Sequence, residues 1–209
     1  MKRIFLALAF LASTVGAAPS IQSSQFTAFN GNSVVAAIPA GAAGDMLVAF
    51  VAIPCPTAGG AASTVPGWLM LANVTLSCGT VSMRRFSDGT ETSVTIPLTV
   101  SVTGQALVIR VSGAVGAQSG PTSAIAMGGP NAMYMNYPPS APTLWLTFAN
   151  ALALPVLAPS GYSNALSAKN GNAALMLAEK SSTAEREDAG AWVLSSPVIP
   201  WRAQTIGIR

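Results

Sequence analysis

A chain whose apolar residues recur at every second position cannot cover them by folding as a helix, and residues 94–100 alternate without exception. Val94, Ile96, Leu98 and Val100 fall on one side, with Thr95, Pro97 and Thr99 on the other. This is the two-residue period of a strand with one covered face. Pro97 has no amide hydrogen to give a neighbour, so this strand is expected at a sheet edge or at a local irregularity. Residues 46–53 and 106–111 are apolar runs of strand length bounded by Gly and Pro. Such runs suit central strands covered on both faces.

Between residues 81–86 and the stretch from Thr92 onward lies Ser87-Asp88-Gly89-Thr90. Asp-Gly tolerates the positive φ angles of a tight turn, and the spacing predicts a hairpin. Residues 173–186, with Ala, Leu, Met, Glu and Lys, are the best helical candidate in the chain. Their neighbours favour a strand followed by a charged turn instead.

The order of elements repeats weakly. Gly44-Asp45-Met46-Leu47-Val48-Ala49-Phe50, the Pro66-Gly67-Trp68 turn, Val81-Ser82-Met83 and Gln105-Ala106-Leu107-Val108 are echoed in order. Their counterparts are Pro142-Thr143-Leu144-Trp145-Leu146-Thr147-Phe148, Pro159-Ser160-Gly161-Tyr162, Ala173-Ala174-Leu175-Met176 and Arg202-Ala203-Gln204-Thr205. Two half-sheets of this kind can each cover the other's apolar side. The expected fold is therefore all-β, an antiparallel β-sandwich or jelly roll from two similar halves, about 33–112 and 142–209. One domain over 18–209 accommodates both.

The connection, residues 113–141, is rich in Gly, Ser, Pro and Ala and carries Met127, Met133, Tyr134, Met135 and Tyr137. A long connection holding Met and Tyr is expected to be a contact loop or a plug for one end of the fold.

The first 17 residues read differently. Lys2 and Arg3 precede an apolar run over residues 4–12, and small residues follow to Ala17. That order is a secretory signal peptide with cleavage after Ala17; the alternative is a retained apolar arm. The run falls short of the ~20 residues a spanning helix needs, and no later stretch reads as a transmembrane span.

Composition narrows the chemistry. Only 8% of the residues are charged, about a third of the usual share. A surface so poor in charge lacks mutual repulsion, and burial against other copies of the chain is expected. The formal charge of +3 falls to +1 without Lys2 and Arg3, which gives no footing for nucleic acid. There is no histidine, and with it go the usual general base, the commonest metal ligand and every Ser-His or Cys-His arrangement. Asp45, Asp88 and Glu91 read as turn or strand-start residues, and Glu185, Glu187 and Asp188 as a solvated turn rather than a calcium loop. No catalytic residue, cofactor or metal site is expected.

Cys55 and Cys78 are the only cysteines. They form one disulfide in an oxidising compartment or remain buried thiols in a reducing one. Trp68, Trp145, Trp192, Trp201 and Tyr162 are expected mainly in the core. A sugar-stacking role is the competing reading, and Trp201 is its first candidate.

The Gly44-Asp45-Met46-Leu47-Val48-Ala49 strand, the Pro66-Gly67-Trp68 turn, the strands around Asp88-Gly89 and the aliphatic strand at 106–111 together resemble a family of β-sandwich proteins of tailed bacteriophages and prophages. There Gly-Asp-Leu-Leu-Val-Ala precedes Pro-x-Gly-Trp, and Pro159-Ser160-Gly161-Tyr162 is similar to its second occurrence. The resemblance covers about residues 33–209; it lacks one residue between Pro66 and Gly67, and the signal-like start is a further departure. It implies a non-catalytic tail, fibre or capsid-decorating protein; the expected partners are other copies and other virion proteins, with a cell-surface glycan as a further candidate. The second expectation is an exported carbohydrate-binding or adhesion module, secreted or periplasmic. Mass spectrometry of native material separates the two. An intact Met1 in purified particles goes with the virion, and a mature start at Ala18 goes with export.

Overall fold

The computed structural model describes residues 17–120, 123–124, 130–136, 141–196 and 200–209, and the signal-like run lies outside them. The described chain is an all-β protein of antiparallel sheets. Its strands are β1 (Ser20–Ala37), β2 (Met46–Ala52), β3 (Leu69–Val74), β4 (Thr80–Phe86), β5 (Ser93–Ser112), β6 (Ala117–Ser119), β7 (Ser123–Ala124), β8 (Met135–Asn136), β9 (Thr143–Ala151), β10 (Pro155–Leu157), β11 (Ser163–Asn170), β12 (Ala173–Ser182), β13 (Arg186–Glu187), β14 (Val193–Leu194) and β15 (Trp201–Ile208). One sheet has the order β1-β5-β2-β4-β3 and a second the order β11-β12-β9-β15-β6, with β7 also beside β15. Two small ribbons, β8 with β13 and β10 with β14, complete the architecture. Among the described residues no helix is long and apolar enough to cross a membrane.

Alternation explains why β2 is apolar throughout. Met46, Val48 and Phe50 enter a core layer with Leu107 and Ile109 of β5, Leu144, Leu146 and Phe148 of β9, and Leu175 and Leu177 of β12. Leu47, Ala49 and Val51 point the other way, into a layer completed by Val34, Ala36, Val94, Ile96 and Leu98. A strand covered on both faces has no side left for polar residues. The second sheet carries its own outer layer, where Ala149, Ala151, Met176, Trp201 and Ala203 pack beneath Ala132, Ala189 and Trp192.

The internal echo has a counterpart in space. The order β3-β4-β2-β5 in one sheet matches β11-β12-β9-β15 in the other. The turns into β3 and β11 close alike: the Trp68 amide donates to the Val65 carbonyl and that of Tyr162 to the Pro159 carbonyl. Phe50 and Phe148 occupy equivalent places on the two central strands, and their rings meet at 5.0 Å between centroids. Ser82 lies beside Phe50 and Gln204 beside Phe148, and the Ser82 hydroxyl donates to Gln204 Oε1 across the two sheets at 2.9 Å.

Polar side chains of the second sheet also grip backbone of the first. Asn150 Nδ2 donates to the Ile53 and Gly79 carbonyls at 2.8 and 3.1 Å, and Arg202 Nε to the Ser77 carbonyl at 3.1 Å. Cys55 and Cys78 are joined beside these carbonyls, with Cα atoms 4.3 Å apart. The disulfide thus pins the two loops that Asn150 and Arg202 hold.

Three expectations meet their outcomes here. Residues 173–182 are a strand, not a helix. Pro97 lies at an irregularity, since the β1–β5 register jumps from Gly31 opposite Val102 to Ser33 opposite Pro97. The hairpin at Asp88-Gly89 does not form: β2 sits between β4 and β5, with Met46 opposite both Phe86 and Val111. The turn chemistry is nonetheless as read, with Gly89 at φ 88°. β4 and β5 both run antiparallel to β2 and so parallel to each other, which a two-residue hairpin turn cannot join; the doubly buried β2 takes one on each side.

Inside that turn the Glu91 carboxylate accepts from the Ser87 hydroxyl at 2.7 Å and the Asp88 amide at 3.0 Å, with Arg85 Nη2 at 2.7 Å. Burial works against its ionisation, but these hydrogen bonds and the Arg85 charge prevail and hold it at about 2, below its ordinary 4.5. A carboxyl with a lowered folded pKa adds stability that is complete above the unfolded value and is lost as pH falls through the folded one. Acid titration of unfolding should therefore show a loss between pH 4.5 and about 2 that Glu91→Gln removes. Replacing both cysteines by serine should lower stability by about 3 kcal/mol in urea unfolding, the chain-entropy value for a loop of this order.

Candidate functional site

The part of the long connection that projects from the second sheet is built by strand alternation. In residues 134–136, Tyr134 and Asn136 are exposed while Met135 between them is buried. Across the ribbon, Arg186 is exposed opposite Asn136, and Glu187 is buried opposite Met135. Tyr134, Asn136 and Arg186 consequently share the outward face, and Met135 and Glu187 share the inward one.

The inward face is an anchor. Met135 packs on the buried Trp145, with Tyr162 alongside. Glu187 receives Lys180 Nζ on both carboxylate oxygens, at 2.9 and 3.0 Å. The same ammonium lies 5.9 Å from the centre of the Tyr162 ring. Burial, then the neighbouring Glu187 carboxylate, pushes the Tyr162 phenol well above its usual value. Thr205 of β15 donates its hydroxyl to the Met133 carbonyl at 3.0 Å, and Gly120 donates its amide to the Thr205 carbonyl at 2.8 Å. A Cβ on Gly120 would stand 3.1 Å from that of Met135, a tight contact that a larger residue could make only if Met135 gave way.

The outward face is open. The Arg186 guanidinium carbon stands 4.1 Å from the centre of the Tyr134 ring, a cation–π stack that fixes the ring's attitude. Beside it runs a groove of about 370 Å³ lined by Gln118, Ser119, Gly120, Met133, Tyr134, Met135 and Asn136. A second exposed surface is apolar: Leu154, Val156, Leu157 and Val193 stand out at the β10–β14 ribbon.

Of the residues expected in a contact loop, Met133 and Tyr134 are exposed, and Met127 and Tyr137 lie outside the described residues. Met135 requires correction. It is 4% exposed because strand alternation turns it inward onto Trp145. Trp201 requires correction too: at 4% exposure it is enclosed by the alanines and Trp192 of the outer layer, and no ring face is presented to a sugar. Core packing claims Trp145 and Trp192 in the same way.

In the expected solvated turn at 185–188, Glu185, Arg186 and Asp188 are exposed as read, but Glu187 is buried and faces inward to Lys180. Four further carboxylates also have local partners: Asp45 with Arg110, Asp88 with Thr90, Glu179 with Asn164 and Asp188 with the Gly190 amide. Among the described residues no three His, Cys, Asp or Glu side chains come together as a metal site. The sequence reading missed the pairing of Tyr134 with Arg186. The parity of 134–136 against 186–187 carries it, but only once the two segments are known to pair.

The chain matches no protein-family model, no curated protein and no solved structure.

The anchor is unequal. Glu187 is almost enclosed, whereas Lys180 keeps a third of its side chain exposed. Removing the lysine strands a buried carboxylate; removing the carboxylate leaves an ammonium able to reach water. In urea unfolding, Lys180→Met should cost about 3 kcal/mol and Glu187→Gln about 1 kcal/mol. Equal losses would contradict this anchoring.

Proposed function

We propose that this chain is a non-catalytic structural or attachment protein of a phage virion, a β-sandwich that packs into an oligomeric surface and acts by contact. The sandwich is preferred to a jelly roll because consecutive strands stay within one sheet instead of alternating between two. One observation carries the contact reading: Leu154, Val156, Leu157 and Val193 stand exposed together on a ribbon of a chain with only 8% charged residues. An apolar cluster on a surface with little charge to repel other copies is a site of association. The structural partners of six of the seven carboxylates support the non-catalytic part. The virion setting rests on the resemblance of the 44–49 strand and the 66–68 and 159–162 turns to phage β-sandwich proteins.

A second reading, an exported carbohydrate-binding or adhesion module, is favoured by the Cys55–Cys78 bond, which belongs to an oxidising compartment. It shares the contact mechanism and differs in where the chain works.

Sedimentation equilibrium tests the association. The wild-type chain should form a defined oligomer, and Val156→Lys with Val193→Lys should shift it to monomer with an unchanged circular dichroism spectrum. A wild-type chain that stays monomeric at high concentration rejects the oligomeric surface.

A further inference from the structure

We infer that the groove between β6 and the β8–β13 ribbon is a saccharide-binding subsite. Tyr134 is the ring on which an uncharged pyranose stacks, and Gln118 and Asn136 are the amides that bond its hydroxyls. The inference rests on the attachment part of the function proposed above and names its ligand class.

A pyranose has an apolar face of C–H groups and a rim of hydroxyls that both donate and accept. The groove is matched to both. Tyr134 is 46% exposed and Met133 44%, so an aromatic face and a thioether are available to the C–H groups. Arg186 occupies one side of the Tyr134 ring, and the sugar stacks on the other. Gln118 and Asn136 are exposed, and among the described residues neither amide is committed to another side chain. The Ser119 hydroxyl donates to the Leu71 carbonyl at 2.8 Å, which leaves its oxygen free to accept.

The same inventory disfavours other occupants. A purely apolar ligand would leave two amides without partners on binding, at a cost to affinity. None of the seven lining residues carries a charge at neutral pH, so an anionic ligand would have to draw on the Arg186 guanidinium already stacked on the Tyr134 ring rather than on the walls. The volume of about 370 Å³ lies in the range of small-molecule sites. The backbone beneath is held in place by Met135 on Trp145, by Glu187 on Lys180 and by the Thr205 bonds. Little ordering is therefore left to offset binding.

The test is a titration of the purified full chain with neutral gluco-, galacto- and manno-configured oligosaccharides, with uronic- and sialic-acid sugars run in parallel. Saturation-transfer NMR and calorimetry at low and high salt give the readout. At least one neutral sugar should bind with an affinity that salt leaves unchanged, its ring C–H protons saturating most strongly. Tyr134→Ala should weaken that binding about tenfold, and Tyr134→Phe should preserve it. Gln118→Ala and Asn136→Ala should each weaken it severalfold, with melting temperatures unaltered because these side chains are exposed. Three results overturn the inference: no sugar binds, only acidic sugars bind and do so with strong salt dependence, or Tyr134→Ala leaves affinity intact. Sedimentation of the same samples keeps the two proposals apart. Persistent association without sugar binding rejects the subsite alone, and a monomer that binds sugar rejects the association alone.

Discussion

The contact of Phe50 with Phe148 is the point on which the rest of the architecture turns. Each ring sits on the central strand of its own sheet, and each sheet needs the other to cover the face that carries it. Burying such faces is the largest favourable term available to a chain with so few charges. From that contact follow the flanking partners: β5 and β4 on either side of β2, β15 and β12 on either side of β9. The two halves of the chain thus solve the same packing problem in the same strand order.

Polar groups between the sheets fix how those faces lie on one another. Hydrophobic contact is non-directional, and apolar layers alone tolerate sliding. Ser82 with Gln204, Asn150 on the Ile53 and Gly79 carbonyls, and Asn170 on the Phe29 and Gly104 carbonyls each hold only in one alignment. The Cys55–Cys78 bond lies among these groups and holds the receiving loops together. Arg110, a charge inside an aliphatic strand, serves the same end at the outer face. It is 1% exposed and donates to the Pro39 and Ala42 carbonyls beside Asp45.

The outer layers divide inward anchors from outward contacts by alternation. At the β8–β13 ribbon, Met135 and Glu187 secure the backbone while Tyr134, Asn136 and Arg186 are displayed. A ribbon this short would not hold its shape in isolation. Its precision comes from Trp145, Lys180 and Thr205 beneath it, and these come from β9, β12 and β15. Contact chemistry on the surface is therefore set by core strands distant in sequence.

Local pattern by itself determined that the chain is made of strands, that residues 46–53 and 106–111 suit coverage on both faces, and that Pro97 belongs at a sheet edge or an irregularity. These follow from side-chain parity and from one missing amide hydrogen, both properties of a few consecutive residues. Their place beside apolar strand residues pointed most of the tryptophans to the core. Tertiary structure alone decided which strands became neighbours: Gly89 took the positive φ its turn requires, yet β2 came between the strands on either side of it. It alone decided, too, that Trp201 and Met135 are enclosed and that Arg186 meets Tyr134, across some fifty residues of chain. Lateral pairing and coverage depend on surfaces that only the folded chain brings together, and no local period encodes them.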